Sequence, residues 1–158
     1  MEKFTNFQEK LMKYGPLPIR VLTGIIFIAH GTPKLVNIPG TQHFFSHALG
    51  FPPEMAVIIA LLEVIGGFAL LFGVLTRIAA ILFIIEMLGA TLAVKLSKGF
   101  VGGYDFDLLI MAVSISLLLT GPGQPSIEWN LLKREIFPKG KEMVFLLKDK
   151  KNNYKHMI

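Results

Sequence analysis

Four apolar stretches, at residues 17–36, 54–75, 78–94 and 106–120, dominate this sequence. Each comes close to, or reaches, the ~17–25 residues that a helix needs to cross a bilayer. The second is the cleanest, because past Glu54 its only charge is Glu63. Breakers separate the stretches. Pro16 and Pro18 precede the first, Pro52-Pro53 the second, Thr76-Arg77 turns into the third, and Gly99 to Gly103 leads into the fourth. Gly121-Pro122-Gly123-Gln124-Pro125 then stops the last helix. The expected fold is all-α, an integral membrane four-helix bundle.

Composition agrees with that reading. Apolar residues make up 53% of the 158, and the 15 glycines bring the share to about 60%, against ~45–50% in soluble domains. A soluble fold of this size leaves ~30% of its surface in water and cannot hide so much apolar area. Cytosolic enzymes and nucleic-acid-binding domains are therefore disfavoured. The absence of cysteine excludes a disulfide framework, a thiol redox centre and a cysteine nucleophile.

Charge sets the expected orientation. With four spans, one side holds Lys3, Lys10, Lys13, Arg20, Arg77 and the eight Lys/Arg of residues 127–158, and the other holds Lys34, Lys95 and Lys98. Thirteen against three places both termini in the cytoplasm of a multi-pass membrane protein by the positive-inside rule. Residues 1–16 then form a cytoplasmic segment, 17–126 the bundle, and 127–158 a basic cytoplasmic tail suited to anionic lipid. An alternative treats the first stretch as a signal peptide cut near Ala29-His30-Gly31, which would leave three spans. Residues 37–53, with His43, Phe44, Phe45, His47 and Phe51, suit a short segment lying in the opposite interface. Residues 140–158 carry an amphipathic pattern that suits the membrane surface.

Ionisable groups inside these spans should face the bundle interior and find partners. At 100° per residue, Arg20, Gly24, Phe27, His30, Gly31 and Lys34 share one side of the first helix. Ala56, Ala60, Glu63, Gly67 and Leu70 share a stripe on the second; Ala79, Glu86, Ala90 and Ala93 on the third, beside Gly89; and Asp107, Met111, Ser114 and Leu118 on the fourth. Glu63 and Glu86 each lie about 14 Å in, but from opposite ends. This predicts an outer cluster of His30, Lys34, Glu63 and Asp107, and an inner pair of Glu86 and Arg20. A purely structural role, fixing register, competes with a small-molecule site or proton path. His43 and His47 stand at i, i+4, but without a third firm ligand no metal site is assigned. No spacing defines a catalytic residue.

The run from Arg20 through Gly24, Gly31 and Lys34 resembles the opening signature of the DoxX family. Glu63-Val-Ile-Gly66-Gly67, followed by Gly73 and Thr76-Arg77, is similar to that family's second-helix motif. Gly102, Gly103, Asp105 and Asp107, then Gly121-Pro122-Gly123 with Ser126-Ile127-Glu128, resemble its closing segment. The likeness covers residues 20–128, and Glu128 departs from a usual aspartate. The resemblance implies a four-helix protein of the cytoplasmic membrane linked to oxidoreductase systems, including quinone-linked ones. No cofactor is intrinsic to such a chain; a redox step would borrow its centre from a quinone, a flavin or a partner subunit. A quinone is expected against Phe27, His30, Lys34, Glu63 and Met111. A small-molecule carrier and a structural assembly subunit are the alternatives.

Overall fold

The computed structural model describes residues 8, 11–132 and 136. Most of the N-terminal segment and of the basic tail, including residues 140–158, lies outside the described residues. Helix α1 is Pro16–Val36, α2 Ile38–His43, α3 Glu54–Phe72, α4 Thr76–Ala90, α5 Asp105–Thr120 and α6 Ile127–Asn130. Helix α2 continues through a wider π turn at Phe44–Ala48, and α4 continues through Thr91–Lys95 and Leu96–Lys98. The described residues contain no strand. Among the described residues, four helical stretches are long and apolar enough to cross a membrane: Pro16–Val36, Glu54–Phe72, Thr76–Lys98 and Phe100–Thr120.

The second span stops three residues earlier than its apolarity predicts. Gly73 adopts φ +67°, and the Val74 N–H reaches back to the Ala69 carbonyl at 2.8 Å. That is a left-handed helix cap, which glycine adopts without steric cost. The third span runs longer than predicted, because the widened turns carry it to Lys98.

Glycines decide how the helices pair. A Cβ on Gly24 would stand 2.7 Å from the Gly67 carbonyl oxygen, and one on Gly67 would stand 2.8 Å from that of Gly24. One on Gly31 would meet Glu63 Cβ at 2.8 Å. Bare backbones thus let α1 and α3 pack antiparallel at close range, the usual solution where lipid supplies no hydrophobic drive. Helices α4 and α5 form a second close pair, and α3 meets α4 along a much sparser seam. Phe27 of α1 and Phe83 of α4 join the pairs, with rings stacked 3.4 Å apart. Leu70, Ile110 and Leu117 complete this core.

The face of α3 matches expectation: Ala56, Ala60, Glu63, Gly67 and Leu70 are its buried residues. Helix α4 does not. It buries Thr76, Ala79, Ala80, Phe83 and Met87, and turns Glu86, Gly89, Ala90 and Ala93 toward a cavity instead. Helix α5 is rotated slightly, burying Ile110 and Leu117 where Met111 and Leu118 were predicted.

Candidate functional site

Helix α1 carries Lys34 in its last turn, and α3 brings Glu63 to the same level. Lys34 Nζ donates to both Glu63 carboxylate oxygens at 2.6 Å. Glu63 is 3% exposed. Glu86 of α4 lies beside Glu63, within side-chain hydrogen-bonding reach and close to Lys34. Its Oε2 is buried and accepts from no donor among the described residues.

Against this trio lies a cavity of about 650 Å³. Lys34 and Glu86 supply its charged groups. Phe44, Phe45, Phe51, Met55, Ile59 and Ile85 supply much of its apolar wall, and Gly89, Ala90 and Ala93 leave room on the α4 side. Helix α2 forms its cover. Asn37 ends α1 and caps α2 by accepting the Gly40 N–H at 3.1 Å, and the Thr41 hydroxyl donates to the Lys34 carbonyl at 3.2 Å. The cover is therefore tied to the residue that carries the ammonium.

The remaining predicted site residues sit elsewhere. Asp107, 1% exposed, does not join Lys34 and Glu63; it accepts from Lys95 Nζ at 2.6 Å and from the Thr91 hydroxyl at 3.3 Å. The continuation of α4 past Ala90 carries Thr91 and Lys95 to it, and sequence reasoning assigned neither residue. His30 is exposed, with its ring 6.4 Å from that of Phe106, and is not among the residues lining the cavity. Phe27 is engaged in the core stack. His43 and His47 stack on each other 4.1 Å apart.

Arg20 does not pair with Glu86. It is 1% exposed at the opposite end of α1, where Nη2 donates to the Pro125 carbonyl at 2.6 Å and Glu128 acts on it electrostatically. Glu128, 2% exposed, also accepts the Leu75 N–H at 2.5 Å, and the Ser126 side chain accepts the Trp129 N–H at 3.2 Å. Leu75 stands at φ +52°, a strained value for a branched side chain. The carboxylate at the start of α4 holds it there and complements the helix dipole. Arg20 and Glu128 thus lock the ends of α1, α3, α4 and α6 together. Glu128 was noted in sequence only as a departure from aspartate; the Ser126-Ile127-Glu128 run after a breaker cluster was the signal for its role.

Four apolar helices with buried charge pairs and a lined cavity define a multi-pass helical membrane protein. The DoxX family model matches residues 15–96. The chain is 45% identical over 112 residues to the Bacillus subtilis protein named "Putative oxidoreductase CatD", covering 71% of this chain and 83% of that one. It is 36% identical over 133 residues to "Inner membrane protein YqjF" of Escherichia coli, covering 80% and 98%. With "Uncharacterized membrane protein Rv3486" of Mycobacterium tuberculosis it shares 31% over 131 residues, 73% and 80% of the two chains. The chain belongs to the DoxX family. No solved structure matches it at a significant level. The family model covers the first two spans and the third as far as Leu96, including Arg20, Lys34, Glu63 and Glu86, and stops before Asp107 and Glu128.

Proposed function

We propose that this protein is a membrane component of an oxidoreductase system, and that it binds a quinone or a similar ring compound in the cavity beside Lys34 and Glu86. The observation that carries the reading is the cavity itself. It is large enough for a ring, mostly apolar, and offers a few charged groups at one wall, the usual makeup of a small-molecule site. The name of the Bacillus subtilis relative points the same way. Any electrons come from the bound ring or from a partner subunit. This chain's own part is to hold the ring and to present the Glu86 carboxyl to it, since that residue lines the cavity. The site differs from the His30-centred one predicted from sequence, since His30 is not among the cavity's lining residues.

Gly89 gives a clean test. A Cβ there would meet nothing within 4 Å, so Gly89→Leu starts its side chain into open cavity space, takes room from a ring, and replaces a helix glycine with a better helix former. A short-chain quinone should raise the thermal stability of the wild-type protein and leave Gly89→Leu unmoved, while the variant without ligand is at least as stable as wild type. Equal stabilisation of both proteins removes the quinone from this cavity. No stabilisation of wild type leaves the structural assembly-subunit reading in its place.

The same proposal sets the orientation. Thirteen Lys/Arg against three put both termini in the cytoplasm of a cell-membrane protein, with residues 127–158 beside anionic lipid and the cavity near the opposite surface. Reporter fusions at residues 45 and 150 should read opposite sides of the membrane. The same side for both overturns the four-span orientation.

A further inference from the structure

The cavity beside Glu86 does not stand alone in the seam between α3 and α4. A second hollow of about 250 Å³ opens one helical turn further along, between Leu62, Gly66 and Ala69 of α3 and Leu75, Ala79 and Leu82 on the α4 side. The α3 residues Met55, Ile59, Leu62, Gly66 and Ala69 fall at steps of four, three, four and three, so both hollows lie on one continuous stripe. On α4, Ala79, Leu82, Glu86 and Ala90 form the facing stripe. The stripe from Met55 to Ala69 is about 21 Å long. Gly66 has no side chain, and the Phe83 ring takes that place, 2.7 Å from where a Cβ would stand, lining the lower hollow while it stacks on Phe27.

The two ends differ in chemistry. The upper hollow has Lys34 and Glu86; the lower has no polar side chain. Lys34 is already engaged by both oxygens of Glu63, and a second acid stands beside it, so the upper end does not suit a phosphate. It suits a neutral head that donates or accepts hydrogen bonds. The lower hollow, about 250 Å³, is smaller than a single turn of a helix ~10 Å across and ~5.4 Å in pitch, and suits a hydrocarbon chain.

We infer that the α3–α4 seam binds a neutral, single-tailed amphiphile from within the bilayer, its hydroxyl- or carbonyl-bearing ring at Glu86 and its hydrocarbon tail along Leu62, Ala69 and Leu82. The inference rests on the ligand site proposed above and adds a tail and a lateral route to it. Leu82 lines only the lower hollow and is 40% exposed, so Leu82→Trp obstructs the tail and not the ring. Ile65→Trp is the second variant, in case the first does not fold.

The test uses the full-length protein in nanodiscs and two probes, a benzoquinone with a decyl tail and the same ring without one. Leu82→Trp should weaken the tailed probe about tenfold, a loss of fewer than two buried methylenes. It should leave the tail-less probe unchanged. A photoreactive group at the tail end should label residues 61–83, and excess unlabelled tailed probe should abolish that labelling. If the tailed probe binds wild type and variant alike, the tail does not lie in the seam, although the ring site stands. Labelling that survives competition assigns the seam to ordinary bilayer lipid. Labelling of a second copy assigns it to an interface between chains. Each of these overturns the inference. Failure of both probes to bind wild type removes the ring site and the inference together.

Discussion

Lys34→Met should destabilise the detergent-solubilised protein by about 3 kcal/mol, and by clearly more than Glu63→Gln does. Removing one partner of a buried ion pair costs ~3–5 kcal/mol, because the other charge is left uncompensated. The lower end of that range applies, since the Lys34 side chain is 30% exposed while that of Glu63 is 4%. The asymmetry between the two variants comes from Glu86. Without Lys34, two neighbouring carboxyls lose the ammonium that stands next to both. Without the Glu63 charge, Glu86 is still at hand to face Lys34. The double variant Lys34→Met, Glu63→Gln should recover much of the loss, because only the Glu86 carboxyl and a neutral amide then remain. Unfolding titrations of the three variants measure this. Equal losses from the two single changes, or a double variant no better than Lys34→Met, would remove Glu86 from the cluster.

Which acids meet was only partly legible in the sequence, and the reason is geometric. Glu63 and Glu86 each stand about 14 Å from the start of their helices, which start at opposite ends of the bundle. Counting from opposite ends suggested two separate depths. In a span of ~30 Å, however, 14 Å from either end is the middle, and the two carboxyls arrive side by side. The Lys34–Glu63 contact was readable because both residues sit on glycine-rich faces, where Gly24, Gly31 and Gly67 dictate close approach. The buried face of α4 was not readable. Large apolar residues surround that helix, and its small residues line a cavity instead of a helix contact. Periodicity cannot separate those two uses of alanine and glycine.

The Asp107 partner was missed for a different reason. Lys95 looked like a loop cation beyond the end of a span, but α4 continues through widened turns to Lys98 and keeps Lys95 within 2.6 Å of Asp107. Such turns leave no mark in hydropathy. The Arg20–Glu128 lock was hidden by separation in sequence: its carboxylate comes from α6, after the last span and its Gly-Pro breaker.

Gly73→Ala should cost about 4 kcal/mol, the upper range for a single substitution, and should loosen the Arg20 end of the bundle. Two effects add at this position. The backbone stands at φ +67°, where a Cβ costs ~1–2 kcal/mol. The new Cβ would also collide with Arg20 Nη1 and Ser126 Cβ. Arg20 cannot swing aside at little cost, because it is 1% exposed and its Nη2 holds the Pro125 carbonyl at 2.6 Å. Displacing Ser126 would disturb Glu128, whose own N–H reaches the Gly73 carbonyl at 3.3 Å and whose carboxylate holds Leu75. Gly50 separates the two effects. It stands at φ +70°, and a Cβ there would meet nothing within 4 Å, so Gly50→Ala carries the backbone cost alone. Unfolding titrations should therefore rank Gly73→Ala well below Gly50→Ala in stability. Limited proteolysis should cut first around residues 121–126 in the Gly73 variant, because those residues lose the arginine that anchors them. Equal losses at the two glycines would mean that Arg20 gives way freely, and that no lock joins α1 to the segment after the last span.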